Sequence, residues 1–173
     1  MNIILCGMPK CGKSTVAKAL SIALGKDFID TDLLIENAYR EKTNEYSSCR
    51  QITLEKGDAY FRNLEKEQIF SLDNIKNSVI ALGGGSFTNP QCIPFIQSLG
   101  LLVYLQCTIQ TLYARIDQKN LPSYLDKNTP MQSFEKLFSE RTPSFLQAAQ
   151  TTIDTSCMTV DEIVLKIRAF NGK

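Results

Sequence analysis

The sequence of 173 residues contains no histidine. This absence excludes Ser-His-Asp catalysis, Cys-His catalysis and histidine-based zinc sites, so proton transfer must use carboxylates, lysines, tyrosines or groups of a substrate. No apolar run approaches the roughly 18 residues of a membrane-spanning helix. Lys10 and Lys13 interrupt the first apolar stretch, which therefore does not resemble a signal peptide. We expect a cytoplasmic protein that does not bind a membrane.

An excess of one charge and closely spaced cysteine pairs are also missing. Lysine and arginine number 19 against 18 aspartates and glutamates, so no global field attracts nucleic acid. The six cysteines form no C-x-x-C pair, which predicts reduced residues that lie mostly in the core. No exposed apolar stripe indicates a dimer surface, so we expect a monomer. The length predicts a single domain over residues 1–173.

The most informative stretch runs from Gly7 to Thr15 and fits G-x-x-x-x-G-K-[ST] without a mismatch. An apolar run precedes it and a helical repeat follows, which predicts a phosphate-binding loop between a strand and a helix. Lys13 is placed for the β- and γ-phosphates of ATP, and the Ser14 hydroxyl for Mg²⁺. The predicted nucleotide-binding residues in this loop are Gly7, Lys10, Cys11, Gly12, Lys13, Ser14 and Thr15.

Two carboxylates, Asp30 and Asp32, follow the second predicted strand. The period of two along an extended segment predicts that both lie on one side, facing the phosphate loop at the carboxyl end of the sheet. One could then hold Mg²⁺ through water while the other orients or deprotonates a hydroxyl. The alternative is that Asp32 is only a helix N-cap, although capping needs one carboxylate and not two.

Short apolar runs alternate with helical patterns along the whole chain. The predicted strands lie at residues 2–6, 28–29, 77–82, 101–105 and 151–154. This order predicts an α/β fold, a P-loop three-layer sandwich with a five-stranded parallel sheet flanked by helices. Asn89-Pro90 predicts the start of one helix, and another is predicted to end near Arg141, just before Pro143.

Two further segments are predicted to serve a ligand, whereas residues 43–70, which are predicted polar helices with a break near Gly57, show no pattern that demands a function. Three glycines end the third strand and let a backbone approach a ligand closely, although a flexible turn is the alternative. Residues 117–130 are polar, bounded by prolines and poor in apolar anchors, which predicts a mobile lid. A phosphotransferase needs such a lid because water in an open site would hydrolyse ATP.

Five ordered motifs together resemble the shikimate kinase family over nearly the whole chain. They are the phosphate loop, Asp30-Thr31-Asp32, Phe61-Arg62-Asn63-Leu64-Glu65, Leu82-Gly83-Gly84-Gly85 and Glu140-Arg141-Thr142-Pro143. The resemblance implies transfer of the γ-phosphoryl group of ATP to the 3-hydroxyl of shikimate. A gluconate-type sugar-acid kinase on the same scaffold is one alternative. A nucleotide-binding regulatory homologue with weakened catalysis is the other.

The resemblance also implies roles for individual residues. Arg62 and Arg141 match the positions that grip the substrate carboxylate, a task that suits the planar guanidinium group. Asp32 matches the residue that accepts hydrogen bonds from the substrate hydroxyls and acts as base or orienter. The backbone of residues 83–85 would contact the substrate, and Glu65 would hold Arg62 in place. The helical segment of residues 33–70 would form the substrate-binding part of the domain.

On the nucleotide side, the resemblance implies that Asp30 helps Ser14 to hold Mg²⁺. Arg115 matches a position that lies against the adenine in family members. Together with the phosphate loop, these residues complete the expected site for ATP and its metal ion.

The lid departs from the family pattern. Family members carry an arginine directly before a proline in this segment, whereas Leu121 precedes Pro122 here. A cation at this point counters the charge that develops on the transferring phosphoryl group. Lys119 is the predicted replacement, with Lys10 as the weaker candidate, and either would lack the planar fork of arginine. Undiminished turnover in a Lys119→Ala variant would contradict the assignment.

Overall fold

The five apolar runs form one parallel sheet in the computed structural model, which describes residues 1–171. The strands are β1 (Asn2–Cys6), β2 (Asp27–Asp30), β3 (Ser78–Ala81), β4 (Gly100–Gln106) and β5 (Thr151–Asp154). The helices are α1 (Lys13–Leu24), α2 (Thr31–Thr43), α3 (Cys49–Lys56), α4 (Asp58–Phe70), α5 (Cys92–Leu99), α6 (Ile109–Ala114), α7 (Pro130–Ala148) and α8 (Val160–Asn171). The predicted α/β sandwich with a five-stranded sheet is confirmed.

The strand order β2-β3-β1-β4-β5 places the phosphate loop at the middle of the sheet. All four strand pairs are parallel. β1 is buried over its whole length, which explains its uninterrupted apolar sequence. After β1 the chain continues to β2 and β3, which lie on one side of β1 in the sheet. It then crosses over to β4 and β5, which lie on the other side of β1. A crevice therefore opens beyond the carboxyl end of β1, where ligands bind in open α/β sheets.

The helices divide between the sheet and a second, smaller core. α1 packs against α8 and β3, α5 packs against β1 and β4, and α7 packs against β4. α2, α3 and α4 pack on one another, while α2 also contacts β2 and α4 also contacts α5. Their shared core consists of Ile35, Tyr39, Ile52, Phe61 and Leu64. The segment predicted to bind substrate thus has a hydrophobic core of its own.

Two helix boundaries differ from the prediction. α5 begins at Cys92 and not at Asn89-Pro90, because the Asn89 side chain accepts a hydrogen bond from the Gln91 amide at 3.0 Å and forms a turn before the helix. α7 does not end near Arg141 but continues through Pro143 to Ala148. An interior proline costs a helix about 3 kcal/mol.

The packing of Phe145 explains why α7 tolerates that cost. Phe145 is fully buried and stacks on Tyr104 of β4 with ring centroids 5.3 Å apart. It also meets Phe87 edge to face at 5.2 Å. Burial of a phenylalanine contributes about 1.5–3 kcal/mol, to which such ring pairs add about 0.5–1.5 kcal/mol each. The tertiary contacts of the last turns therefore offset the local penalty.

The predicted lid is better anchored than its composition suggested. Leu125 is 5% exposed and belongs to the main core, and Leu121 packs against that core. The Leu125 amide donates to the Pro122 carbonyl at 3.1 Å, and the Asp126 amide donates to the Ser133 hydroxyl of α7, also at 3.1 Å. Leu125 and Asp126 thus hold this half of the segment to the core and to α7, and the mobility of the lid stays a prediction.

The cysteine prediction is confirmed for most of the six residues. All six are free; Cys6, Cys11, Cys92 and Cys107 are buried, whereas Cys49 is half-buried and Cys157 exposed. Over residues 1–171, the chain forms no helix with the length and apolar character needed to cross a membrane.

Candidate active site

The loop between β1 and α1 is shaped by its glycines. Gly12 has φ 94°, in the left-handed region that glycine adopts without strain. A Cβ at Gly7 would lie 2.7 Å from the Leu105 carbonyl oxygen, so no side chain fits there. α1 begins directly after this loop at Lys13, which places the positive end of the helix dipole beside the loop. Both features suit the binding of a phosphate group.

Lys13 lies over the backbone of the same loop. Its Nζ donates to the carbonyl oxygens of Gly7 and Met8, each at 3.0 Å, and its side chain is buried. The Cys11 Sγ lies 3.8 Å away. The loop therefore holds a buried ammonium group next to the place where its own geometry favours an anion.

One pocket of ≈ 690 Å³ joins this loop to the helices of the second core. Its walls come from α2, α3, α4, α7, the turn after β3 and the lid. The predicted site residues that line it are Lys10, Gly12, Lys13, Ser14, Thr15, Asp32, Arg62, Gly84, Gly85 and Arg141. Residues from seven regions of the chain, counting the phosphate loop, thus meet at the carboxyl end of the sheet.

Asp30 and Asp32 do not share one side of an extended segment, contrary to the prediction. β2 ends at Asp30 and α2 begins at Thr31, so Asp32 lies in the first turn of a helix. Asp30 is the N-cap, and its Oδ1 accepts a hydrogen bond from the Asp32 amide at 3.0 Å. The alternative that Asp32 is the N-cap was therefore also wrong, because the N-cap is Asp30, two residues earlier.

The Asp32 carboxylate lies in an unusual electrostatic setting. The residue is exposed towards the pocket. Desolvation of the carboxylate and the neighbouring charges of Asp30 and Glu65 together raise the pKa of Asp32 to about 6, against the opposing effect of Lys13. A carboxylate with a pKa closer to neutrality is a better acceptor for a hydroxyl proton.

A neighbouring pocket of ≈ 610 Å³ is lined by Ser14, Asp30 and Asp32, among others. Within residues 1–171, no three Cys, Asp or Glu side chains are arranged to hold a metal ion by themselves. Mg²⁺ at nucleotide sites usually takes only one or two protein ligands and completes its octahedron with phosphate oxygens and water. A hydroxyl and a carboxylate beside the phosphate loop fit that requirement.

Arg62 is held by two carboxylates of its own helix. Its Nη1 lies 2.7 Å from Glu65 Oε2, and its Nε lies 3.3 Å from Asp58 Oδ1. The Glu65 side chain is only 5% exposed and also accepts a hydrogen bond from the Ser86 hydroxyl at 3.4 Å. The i, i+3 pair is therefore a partly buried support for the guanidinium and not a mere surface pair.

The glycine triplet brings the remaining groups together. The Arg141 Nη1 donates to the Gly84 carbonyl oxygen at 2.8 Å, across 57 positions of the chain. A Cβ at Gly84 would lie 2.8 Å from Pro9 Cγ, and a Cβ at Gly83 would lie 2.5 Å from Asp32 Oδ1. Burial and the nearby Arg62 lower the pKa of Arg141, as expected for two guanidinium groups that face the same space. An anion between them would relieve their repulsion.

The family of the chain follows from sequence comparison. A family model described as Shikimate kinase matches residues 9–170. The chain belongs to the shikimate kinase family.

Individual members of the shikimate kinase family are similar over almost the whole chain. The shikimate kinase of Caldanaerobacter subterraneus subsp. tengcongensis is 34% identical over 170 residues, which cover 98% of this chain and 95% of that protein. The solved structure of the Acinetobacter baumannii shikimate kinase in complex with shikimate has a TM-score of 0.87 at 28% identity, with 98% of this chain and 91% of that one covered. The Aquifex aeolicus enzyme has a TM-score of 0.81 at 31% identity, with coverages of 98% and 95%.

Asp30, Gly83, Arg115 and Lys119 were all given a role in the site, and all four lie outside the lining of the main pocket. Arg115 does not line it, but its Nη1 donates to the Lys10 carbonyl oxygen at 3.1 Å. This bond supports the left-handed backbone of Lys10, which has φ 69°. Lys119 does not line the pocket either, and the lid contributes Pro122, Ser123 and Tyr124 instead. The role of Lys119 as a replacement for the lid arginine stays a prediction.

Four lining residues were not predicted from the sequence: Cys49, Arg50 and Thr53 of α3, and Asp58 at the start of α4. The Cys49 thiol donates to the Asp32 carbonyl oxygen at 3.4 Å. None of the four belongs to a shikimate kinase motif or a helical apolar repeat. Only the docking of α3 beside α2 and α4 brings the first three to the pocket.

Proposed function

We propose that the chain transfers the γ-phosphoryl group of ATP to the 3-hydroxyl of shikimate. The bond from the γ-phosphorus to the oxygen bridging to the β-phosphate breaks, and a bond to the 3-hydroxyl oxygen forms. The hydroxyl proton passes to a carboxylate, and ADP leaves. The observation that carries this proposal is that the phosphate loop, Asp32 and the guanidinium groups of Arg62 and Arg141 line one pocket.

The side chains divide the work between donor and acceptor. The loop amides and Lys13 bind the phosphates, and Ser14 with Asp30 would hold Mg²⁺, which supplies positive charge to the β- and γ-phosphate oxygens when bound. Arg62 and Arg141 bind the shikimate carboxylate and fix the ring. Asp32 then accepts the proton of the attacking hydroxyl. Most of the rate enhancement comes from this positioning and from charge stabilisation.

The anchoring of the lid limits which part of it closes over the nucleotide. Leu121 packs against the main core, Leu125 lies in it and Asp126 is bonded to α7, so we propose that residues 117–120 move and that residues 121–129 stay in place. The helices of residues 33–70 form the other wall of the pocket, on their own small core. We also propose that the enzyme works as a monomer, because all predicted site residues come from one chain.

The decisive test is ATP consumption by the purified protein with Mg²⁺, in parallel reactions with shikimate, with gluconate and without an acceptor. We expect ADP to form only with shikimate, together with shikimate 3-phosphate identified by mass spectrometry and NMR. Equal stimulation by gluconate would favour a sugar-acid kinase of broader specificity. Nucleotide binding without turnover on any acceptor would overturn the proposal.

The raised pKa of Asp32 predicts how turnover depends on pH. Its carboxylate accepts a proton only when ionised, and desolvation together with the charges of Asp30 and Glu65 raises its pKa to about 6. We therefore expect kcat to be level above this pH and to fall roughly tenfold per pH unit below it, since each unit lowers the ionised fraction of the Asp32 carboxylate about tenfold. The measurement is the pH profile of kcat with saturating shikimate. A profile that stays flat to pH 5 would contradict the role of Asp32 as base.

Replacement of Arg62 by alanine is expected to damage both binding and stability. The variant loses one of two guanidinium groups for the shikimate carboxylate, so the KM for shikimate should rise by about 10²-fold for a lost charge-assisted contact. It also leaves the buried Glu65 carboxylate without its partner, and breaking a buried pair costs about 3–5 kcal/mol. Because Arg62 is 28% exposed, we expect the lower end of that range in urea unfolding.

A double variant separates these two effects of Arg62. Arg62→Ala combined with Glu65→Gln removes the orphaned charge and should restore much of the unfolding free energy, while the KM for shikimate stays high. Recovery of both quantities together would show that Arg62 acts on the substrate only through the fold.

A further inference from the structure

The basic residues of the main pocket differ in what they contact. Over the part of the chain that the structure describes, those lining it are Lys10, Lys13, Arg50, Arg62 and Arg141. Lys13 donates to two loop carbonyls, Arg62 pairs with Glu65 and Asp58, and Arg141 donates to Gly84. The side chains of Lys10 and Arg50 make no hydrogen bond or salt bridge to residues 1–171.

Arg50 is the only one of these two that carries a guanidinium group, and it stands on a fixed base. It is the second residue of α3, whose start is closed by a capping box between Ser48 and Gln51. The Cys49 amide next to it donates to Glu36 of α2 at 3.0 Å, which ties the first turn of α3 to the neighbouring helix. The backbone of Arg50 is therefore held, while its exposed side chain can reach into the pocket.

The position of Arg50 is unfavourable for its own helix. A positive charge in the first turn opposes the helix dipole, and no acidic residue lies in that turn to compensate. Local rules are broken most often where a residue serves a ligand. A free guanidinium beside a positive helix end creates a region of the pocket wall that an anion would stabilise.

We infer that Arg50 supplies the guanidinium that the lid lacks and that it contacts the transferring phosphoryl group. The lid residues that line the pocket are Pro122, Ser123 and Tyr124, none of them charged. Arg50 reaches the same pocket from the acceptor side, and its planar fork binds two phosphoryl oxygens at once, which a lysine cannot do. The inference rests on the proposed function, because it concerns the same phosphoryl transfer.

The test compares Arg50→Gln and Arg50→Lys with the wild-type enzyme. We expect kcat with shikimate to fall about 10²-fold in Arg50→Gln, as for the loss of one preorganised donor, with the KM values for ATP and shikimate changed less than threefold. Arg50→Lys keeps the charge without the fork and should recover part of the rate. Arg168→Gln, the same change at another exposed arginine, is the matched control.

A binding measurement distinguishes contact with the phosphoryl group from damage to α3. ADP with aluminium fluoride and shikimate mimics the transferring group, and its affinity should fall in Arg50→Gln by the same factor as kcat. The affinity for ADP alone and the thermal unfolding midpoint should not change. A fall in ADP affinity or in the midpoint to match kcat would overturn the inference.

Lys119→Gln is the competing variant in the same experiment. A loss of kcat in Lys119→Gln with full activity in Arg50→Gln would show that Lys119 of the lid supplies the positive charge, and would overturn the inference. Absence of shikimate phosphorylation by the wild-type enzyme would instead overturn the proposed function. The two failures are therefore distinct results of one set of assays.

Discussion

Asp32→Asn is expected to lower kcat by about 10²–10⁴-fold, the usual contribution of a positioned general base. Asparagine has the shape of aspartate and still accepts a hydrogen bond from the attacking hydroxyl, but it cannot take up the proton. The pKa of Asp32, about 6, suits it to this task because the carboxylate is ionised at neutral pH and yet more basic than an exposed one. The measurement is single-turnover phosphorylation of shikimate with ATP in excess.

The stability of Asp32→Asn separates a lost base from a damaged fold. Because the folded state raises the pKa of Asp32 above that of the unfolded chain, the ionised carboxylate opposes folding above about pH 6, and this penalty disappears as the pH falls towards the unfolded value. Asparagine carries no such charge, so the urea midpoint at pH 7 should be equal to or above that of the wild type. Activity within tenfold of the wild type would show that Asp32 only orients the hydroxyl.

Asp30→Asn is the matched control for Asp32→Asn. Asparagine is as good an N-cap as aspartate, so the hydrogen bond to the Asp32 amide and the start of α2 should persist. The variant removes the charge proposed for Mg²⁺ and should raise the Mg²⁺ concentration needed for half-maximal rate. A similar requirement for Mg²⁺ in both enzymes would exclude Asp30 from the metal site.

Local sequence was sufficient for the sheet and the phosphate loop because both depend on contiguous residues. The apolar run at residues 2–6 coincides with β1, which is buried throughout, and the predicted strand at residues 151–154 coincides with β5, in which only Ile153 is buried. Buried parallel strands need apolar side chains on both faces, and few other segments carry them. The loop from Gly7 to Thr15 is likewise fixed by backbone angles that its own glycines provide.

Contacts between distant segments explain where the sequence prediction failed. Pro143 ends a helix by local rules, but α7 continues because Phe145 packs on Tyr104, which is 41 positions away by residue number. The composition of the lid did not indicate that its second half is anchored, because the anchor is a single leucine, Leu125, in a polar segment. Arg50 carried no signal, because an exposed arginine in a polar helix has no periodic pattern and reaches the pocket only through helix packing.

The prediction for Asp30 and Asp32 failed for another reason, because the boundary between strand and helix was misplaced by a few residues. Asp30 ends a strand and caps a helix, so the backbone turns between it and Asp32. Both carboxylates still lie near the phosphate loop, where Asp30 lines the smaller pocket and Asp32 lines both. The general rule that ligands gather at the carboxyl ends of parallel strands was therefore more reliable than the local periodicity.

Lys13→Met is expected to reduce kcat by about 10³-fold or more, since we propose that Lys13 contacts the phosphates throughout the transfer. Methionine matches the unbranched length of the lysine stem but carries no charge. Among the other basic residues of the pocket, Arg62 and Arg141 are held at the acceptor side, so they cannot replace the ammonium group. The measurement is single-turnover phosphorylation together with the affinity for a fluorescent ATP analogue.

Stability measurements must accompany the Lys13 variant because its ammonium group also serves the loop. Methionine leaves the carbonyl oxygens of Gly7 and Met8 without their donor, and an unsatisfied buried acceptor costs about 1–3 kcal/mol. Lys166→Met, the same change at an exposed position of α8 that lines neither pocket, should keep both stability and rate. If the Lys13 variant loses stability but turns over within tenfold of the wild type, its lysine belongs to the loop structure, and charge stabilisation must come from the amides of the loop and the end of α1.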